Sequence, residues 1–273
     1  MKIRKPIALL VPATVLLLSA CGAPEESKGW VASIYPAQYL SERIAGEPVA
    51  LLTEPGVEPH DLELTARDVI DIQEAKLFVF ASKVQPAVDD AVGENSFDIA
   101  LPDDPHVWLD PKALIEVVPD LTAALIAVQP ESEDKFTANS AALLTDLEEL
   151  DAEYATGLSQ CTRKEIISTH KAFALMADRY GLVNESLAGD DPHGEPTATR
   201  IAEIVDLINS TGATTIFSEP LAHSDITETI ASETSVKIAT LDPIEGLNPD
   251  SNADYLSLMR ANLMALRTGL DCK

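Results

Sequence analysis

The sequence predicts an α/β protein of two lobes, each with a mainly parallel sheet flanked by helices, joined by one long bridging helix. Three observations support this fold class. From Trp30 onward, short β-rich runs alternate with helical patterns, which is typical of βαβ units and parallel sheets. An uninterrupted helical pattern occupies residues 131–158, in the middle of the chain. The second half then repeats the rhythm of the first.

The first lobe is expected to span residues 30–130. Strands are predicted at 31–35, 49–53, 76–80 and 98–101, and helices at 36–44, 66–74, 86–92 and 111–125. Gly46 should end the first helix, and Asp110 followed by Pro111 is a typical helix start. Because Pro119 interrupts the last of these helices, we expect a kink or a break there.

The bridging helix and the second lobe follow. Leu143, Leu147 and Leu150 recur at helical spacing within residues 131–158. The second lobe, 159–273, should contain strands at 165–169, 183–187, 214–217 and 236–241, and helices at 172–180, 197–210, 226–233 and 253–270. Its order of elements therefore matches that of the first lobe.

The charge of the chain limits the classes of partner. Among 273 residues there are 45 Asp plus Glu and 19 Lys plus Arg, giving a formal charge of −26. Such a surface argues against a nucleic-acid partner, because the phosphate backbone is itself negative. Cations are the more natural ligands, although an acidic surface commonly serves solubility alone.

The N-terminus has the composition of an export signal. Residues 1–20 combine three cations with an apolar run at 7–18 and small residues before Cys21. As a helix this run would cover about 18 Å, less than the roughly 30 Å hydrocarbon core, so cleavage is favoured over a retained anchor. The ending Leu-Ser-Ala-Cys resembles a bacterial lipobox, which implies lipidation of Cys21 and a flexible tether through residue 29. Removal of the signal would leave a charge of −29, from 45 acids and 16 cations.

Two cysteines remain once Cys21 is assigned to the lipid. Cys161 and Cys272 lie 111 positions apart, and an oxidising compartment would permit them to pair. In the chain-entropy description such a loop gives up to about 4.7 kcal/mol. The alternative is two free thiols.

Three of the five histidines follow predicted strands. They are His60, His106 and His170, and Asp242 occupies the matching position after strand 236–241. Ligands of open α/β sheets bind at the carboxyl ends of the strands. Neutral imidazoles and one carboxylate form a tetrahedral set suited to zinc. The sequence therefore predicts a metal site in the cleft between the lobes, with two ligands from each.

The same ligand set argues against an enzyme. A hydrolytic zinc site needs an open position for water and a general base, as in His-Glu-x-x-His, and the sequence contains no such motif. The nucleophile-elbow, Walker A and Rossmann motifs are also absent. An exported zinc hydrolase, the enzymatic alternative, would require a metal-bound water.

Several motifs occur in an order that resembles one family. They are the lipobox, residues 30–36, Gly-Val-Glu-Pro-His-Asp at 56–61, Asp-Pro-His-Val-Trp-Leu-Asp-Pro at 104–111, residues 170–173 with 179–182, Phe-Ser-Glu-Pro at 217–220 and Leu-Asp-Pro at 241–243. Together they resemble the zinc/manganese substrate-binding lipoproteins of bacterial ABC importers, over nearly the whole mature chain.

This resemblance implies a fold, a site and a role. It implies two α/β lobes bridged by a rigid helix, with the metal buried between them and delivered to an ABC transporter permease. The implied metal ligands are His60, His106, His170 and Asp242. A disulfide between Cys161 and Cys272 is implied by zinc members of the family. We expect a monomer, held at the outer face of the cell membrane by its lipid.

The third ligand bears on the choice of metal. Similar proteins that favour manganese typically have glutamate at the position of His170, and imidazole-rich sites suit zinc better. Zn²⁺ is therefore the expected transported ligand and Mn²⁺ the alternative. A surface adhesin is the alternative from another class, because members of the resembling family have been assigned that role.

Three further residues lie near the expected ligands in the motifs or are the remaining histidines. Glu219, at the end of a strand, should support a metal ligand or act as an alternative ligand. His193 is either an accessory metal ligand or a solvated turn residue, and His223 is expected at the surface. The stretch 91–104 contains no histidine, so the metal-gathering loop common in zinc members is not supported here.

Overall fold

A computed structural model describes residues 28–189, 194–220, 225–249 and 253–273. The predicted signal, Cys21, most of the tether, His193 and His223 lie outside these ranges. Within them, no helix combines the length and the apolar character needed to cross a bilayer.

The first half of the chain forms one parallel sheet with its helices. The elements are β1 (Lys28–Ala32), α1 (Tyr35–Ala45), β2 (Ala50–Leu51), α2 (Ala66–Glu74), β3 (Ala75–Phe80), α3 (Pro86–Asp89), β4 (Ser96–Asp98) and α4 (Pro111–Val128). The strand order is β2-β1-β3-β4. Because Lys28 pairs with Ala75, β1 begins within the segment expected to be a tether.

The second half repeats this arrangement. Its elements are α5 (Glu133–Leu158), β5 (Glu165–Ser168), α6 (Ala174–Arg179), β6 (Val183–Ser186), α7 (Ala198–Thr211), β7 (Thr215–Ser218), α8 (Asp225–Thr234), β8 (Lys237–Thr240) and α9 (Tyr255–Gly269). The strand order β6-β5-β7-β8, again parallel, matches the first sheet position by position. The predicted fold class is confirmed.

Local sequence signals explain several of the helix ends. Gly46 takes the left-handed conformation (φ 64°) that ends α1, and Thr65 forms a capping box at the start of α2. Asp110 caps α4 by accepting a hydrogen bond from the Lys112 amide (3.0 Å).

Of the kink or break expected at Pro119, a break is wrong, because α4 continues through that residue. Pro119 lies on the exposed face of the helix, while Val118 and Leu121 are fully buried. An interior proline costs about 3 kcal/mol, and burying several large apolar side chains outweighs that amount.

One cluster of buried apolar side chains extends through both halves of the chain. It joins Trp30 on β1 and Leu114 on α4 to Leu147 on α5 and Leu266 on α9. The hydroxyl of Tyr154 on α5 also donates to the carbonyl of Met259 on α9 (2.7 Å). The long helix α5 is therefore part of a core that both halves share.

The structure also pairs Cys161 with Cys272 in a disulfide. Next to it, the Thr162 amide donates to the Asp271 carbonyl (3.2 Å) and the Arg163 amide to the Leu270 carbonyl (3.0 Å). The C-terminal segment is thereby fastened to the chain just after α5.

Candidate metal site

The loops that leave the carboxyl ends of the strands bring three histidines together. His60 lies in a short 3₁₀ turn after β2, and His106 precedes another such turn after β4. His170 follows β5 in the second sheet. Each imidazole is therefore placed by a loop that a parallel strand anchors, as expected for a ligand site of this fold.

The three rings surround one carboxylate, that of Glu245. The Nε2 atom of His106 lies 3.0 Å from Glu245 Oε1, and that of His170 lies 3.5 Å from the same oxygen. His60 Nε2 lies 3.3 Å from Glu245 Oε2. One candidate ligand atom from each of the four residues lies within 4.8 Å of the others. Three nitrogens and one oxygen thus converge on one point.

These groups are buried without the partners that buried polar atoms normally have. The side chains of His106, His170 and Glu245 are at most 2% exposed, and that of His60 is 9% exposed. All three Nε2 atoms and Glu245 Oε1 lack a hydrogen-bonding partner of normal geometry. Buried polar atoms are usually hydrogen-bonded, so four such groups that face only one another need an explanation. A tetrahedral divalent cation would satisfy all four donors.

The charges in the site depend on one another. Burial alone would raise the pKa of Glu245, but the three histidines hold that pKa well below its usual range. Burial would lower the pKa of His170, yet Glu219 and Glu245 raise it to about 10. Asp104 and Glu245 likewise raise the pKa of His106 against the effect of burial. In the absence of metal, the carboxylates thus favour the protonated forms of His106 and His170, and a bound cation would displace those protons.

Asp242, the expected fourth ligand, is not in this group of four. Its Oδ1 accepts a hydrogen bond from the Ile244 amide (2.8 Å), and burial raises its pKa to about 6. The chain turns after β8, so the carboxylate that faces the histidines comes three residues later, at Glu245. The carboxylate in the cluster is therefore that of Glu245 instead of Asp242, although both residues belong to the loop after β8.

Glu219 lies behind His170. Its Oε1 is 2.7 Å from His170 Nδ1, on the side of the ring opposite the nitrogen that faces Glu245. The same oxygen accepts from the His170 amide (3.2 Å) and from the Thr169 hydroxyl. This position suits the expected supporting role better than that of a ligand.

Asp104 has a similar place beside His106. Its Oδ1 accepts from the His106 amide (2.8 Å) and lies 3.5 Å from His106 Nδ1. Sequence reasoning did not single out Asp104, although it stands two residues before the histidine. Neither did it single out Glu245, for which the only signal was its place in the loop after β8.

The comparisons with known proteins agree with this geometry. A family profile described as "ZnuA: Zinc-uptake complex component A periplasmic" matches residues 31–269. The high-affinity zinc uptake system protein ZnuA of Bacillus subtilis is 30% identical, over 96% of each chain. The zinc-binding lipoprotein AdcA of Streptococcus pneumoniae is also 30% identical, over 98% of this chain but 61% of its own length. This chain therefore spans about three fifths of AdcA.

Solved structures show the same fold. The Zn(II)-bound ZnuA-like domain of Streptococcus pneumoniae AdcA is 32% identical, with a TM-score of 0.77 over 90% of this chain and 99% of that one. The laminin-binding protein Lmb of Streptococcus agalactiae, described as bifunctional with adhesin and metal-transporting activity, is 29% identical. Its TM-score is 0.80, over 89% of this chain and 99% of that one. By its sequence match and its fold, the chain belongs to the ZnuA family of zinc-uptake components.

Proposed function

We propose that this protein is an extracytoplasmic receptor that binds Zn²⁺ and delivers it to an ABC transporter permease. The observation that carries the proposal is the convergence of three buried Nε2 atoms on the Glu245 carboxylate. The proposed ligands are His60, His106, His170 and Glu245. Relatives named for zinc uptake and zinc binding support zinc as the cargo.

The donor set favours zinc over manganese. Zn²⁺ accepts imidazole nitrogens readily and takes four ligands, whereas Mn²⁺ prefers oxygen donors and higher coordination numbers. Four protein donors complete a tetrahedral shell and leave no position for the water that a hydrolytic zinc site requires. The arrangement therefore suits capture of an ion rather than catalysis.

Release of the ion would require one ligand to move. Because the core runs through α4, α5 and α9, a wide rotation of one half against the other would disrupt much buried apolar packing. Movement of a loop that carries one ligand disturbs less packing. We infer that contact with the permease displaces such a loop.

The placement outside the membrane rests on the N-terminal sequence and on the relatives' names. Removal of residues 1–20, lipidation of Cys21 and a short tether would hold the receptor at the membrane surface. Family members are described as periplasmic or as lipoproteins, which supports this location. The proposed divisions of the folded chain are a first lobe ending at residue 130, the bridging helix through residue 158 and a second lobe to residue 273.

An adhesin function is a second candidate, favoured by one specific observation. Lmb, which shares this fold, is described as an adhesin as well as a metal transporter. Binding of the mature protein to immobilised laminin, with and without zinc, would test this function separately from metal uptake.

Metal analysis tests the main proposal. Protein purified without added metal should contain zinc, and chelator competition should show one tight site per chain. His170→Ala and Glu245→Ala should each weaken zinc binding at least about a hundredfold, because each removes a donor from a four-ligand shell. Glu148→Ala, which removes an exposed carboxylate from α5, is the matched control and should bind as wild type. Wild-type affinity in Glu245→Ala would refute the ligand set, and tighter manganese than zinc binding would refute the cargo.

A further inference from the structure

A hydrogen bond within the loop that carries Glu245 joins the Asp242 carboxylate to the Ile244 amide. We propose that Asp242 is a positioning residue: its carboxylate fixes the backbone at Ile244 so that Glu245 faces the three histidines. This inference rests on the proposed function, because it takes Glu245 as a metal ligand. It assigns to Asp242 a role through its neighbour rather than a direct bond to the ion.

The backbone at Ile244 is in a conformation that its side chain disfavours. Ile244 has φ 58°, in the left-handed region, which is a genuine outlier for a β-branched residue. Such a conformation costs on the order of 1–3 kcal/mol and persists only where the surroundings enforce it. The Ile244 side chain is fully buried, and the Asp242 carboxylate accepts its amide at 2.8 Å, across Pro243. This Asx-type turn directs the next residue, Glu245, into the site.

The backbone of Asp242 is held in place by two hydrogen bonds from helix α9. The side chain of Asn262, on α9, accepts from the Asp242 amide (2.9 Å) and donates to the Asp242 carbonyl (2.6 Å). Asn262 is 4% exposed, so both bonds are shielded from water. Because α9 fixes the backbone of Asp242, the Asp242 carboxylate can hold the Ile244 amide in one position.

The far side of the loop is attached to the first half of the chain. The indole Nε1 of Trp108 donates to the Pro243 carbonyl (2.7 Å), and the Tyr35 amide donates to the Glu245 carbonyl (3.1 Å). The Gly56 amide donates to the Leu247 carbonyl (2.7 Å). Trp108 and Gly56 lie close in sequence to His106 and His60, so these bonds set the Glu245 loop relative to two other proposed ligands.

Cobalt spectroscopy can separate a positioning residue from a ligand. Co²⁺ in a tetrahedral site has visible absorption bands that change when one of its ligands is lost. We would measure these bands, together with zinc affinity by chelator competition, in Asp242→Ala, Asp242→Asn, Glu245→Ala and the double variant Asp242→Ala/Glu245→Ala.

The proposal makes a distinct prediction for each variant. Asp242→Ala should weaken zinc binding about 10- to 100-fold, as loss of outer partners of metal ligands does, and should shift the Co²⁺ bands toward those of Glu245→Ala. Asp242→Asn keeps an oxygen that accepts the Ile244 amide and should stay within about threefold of wild type. On the Glu245→Ala background, Asp242→Ala should cause no further loss, since it acts only through Glu245.

Two results would overturn the proposal. Wild-type affinity and bands in Asp242→Ala would show that the turn does not depend on the carboxylate. Equal losses in Asp242→Ala and Asp242→Asn, additive with Glu245→Ala, would instead make Asp242 a ligand. Glu245→Ala tests the proposed function alone: wild-type zinc binding in that variant refutes the ligand set whatever Asp242 does.

A second substitution covers the case in which Asp242→Ala does not fold. Asn262→Leu keeps the branched side-chain skeleton and introduces a good helix former, but it removes both bonds to the Asp242 backbone. It should shift the Co²⁺ bands in the same direction, again without effect on the Glu245→Ala background. Unchanged bands in folded Asn262→Leu would contradict the proposed positioning role of Asp242.

Discussion

Glu219 and Glu245 lie on opposite sides of the His170 ring. Glu219 Oε1 is 2.7 Å from Nδ1, and Glu245 Oε1 is 3.5 Å from Nε2. A carboxylate behind a metal-binding imidazole holds the ring in one tautomer and orientation and makes the other nitrogen a better donor. Glu219 is therefore placed where it can orient the His170 ring before a metal ion binds.

Replacing Glu219 should weaken metal binding without removing a ligand. Glu219→Leu should lower zinc affinity about 10- to 100-fold, because the ring loses its partner and its fixed orientation. Glu219→Gln keeps an accepting oxygen and should lose less. Chelator competition measures both, and one zinc per chain should remain in each variant. Equal affinities for the leucine variant and wild type would show that Glu219 does not orient His170.

Metal-free protein should lose stability as the pH rises above neutrality. The pKa of His170 is about 10 in the folded chain and about 6.5 in an unfolded one. Its protonation therefore adds stability that is complete below pH 6.5 and is lost as the pH rises toward 10, by at most about 1.4 kcal/mol per pH unit. Urea unfolding in the presence of a chelator at pH 6, 7.5 and 9 measures this slope. His170→Gln should flatten it, and an unchanged slope in that variant would assign the effect to other groups.

Zinc binding should release protons at neutral pH. The raised pKa values of His106 and His170 mean that the metal-free site holds imidazole protons that Zn²⁺ must displace. Calorimetric titrations in buffers of different ionisation enthalpy should show release of at least one proton per ion, and affinity should fall as the pH is lowered. Binding with no proton release at pH 7 would show that these imidazoles are neutral before the metal binds.

The sequence was sufficient for the fold and for three of the four clustered residues, for identifiable reasons. Alternation of strand and helix patterns predicts a parallel sheet in each half, and residues after the strands of one sheet, such as His60 and His106, then lie at the same edge. Glu245 was not predicted as a member of the cluster, because its position depends on a turn at Ile244 that no local sequence pattern indicates. Continuity of α4 through Pro119 likewise depends on burial against α5, which is a property of the tertiary structure.

Loss of the disulfide should lower stability and leave zinc affinity unchanged. The bond between Cys161 and Cys272 closes a loop of 111 positions, and removing such a bond typically costs about 2–5 kcal/mol. Cys161→Ser/Cys272→Ser should therefore unfold at lower guanidinium concentration, while neither residue belongs to the cluster around Glu245. Reduced wild-type protein should unfold at the same guanidinium concentration as the double variant. Coincident curves for oxidised and reduced wild type would contradict the predicted contribution.

The ion pair between Asp110 and Arg179 should matter because one partner is buried. Arg179 Nε, on α6, lies 2.8 Å from Oδ2 of Asp110, whose side chain is fully buried at the start of α4. Burial raises the pKa of Asp110, and Arg179 opposes that effect. Arg179→Leu would remove the cationic partner of this buried carboxylate and should cost about 1–3 kcal/mol at pH 7.5. The cost should shrink toward pH 5, because the carboxyl group, its pKa raised further, can then take up a proton.

A second substitution distinguishes loss of charge balance from loss of packing in that variant. Asp110→Asn retains a side chain that caps α4 but removes the buried charge. Because Arg179 is 38% exposed and can be solvated, Asp110→Asn alone should cost less than Arg179→Leu. The double variant Asp110→Asn/Arg179→Leu should then be more stable than Arg179→Leu in urea unfolding. If the two substitutions were simply additive, the link between α4 and α6 would rest on apolar packing and not on the charge pair.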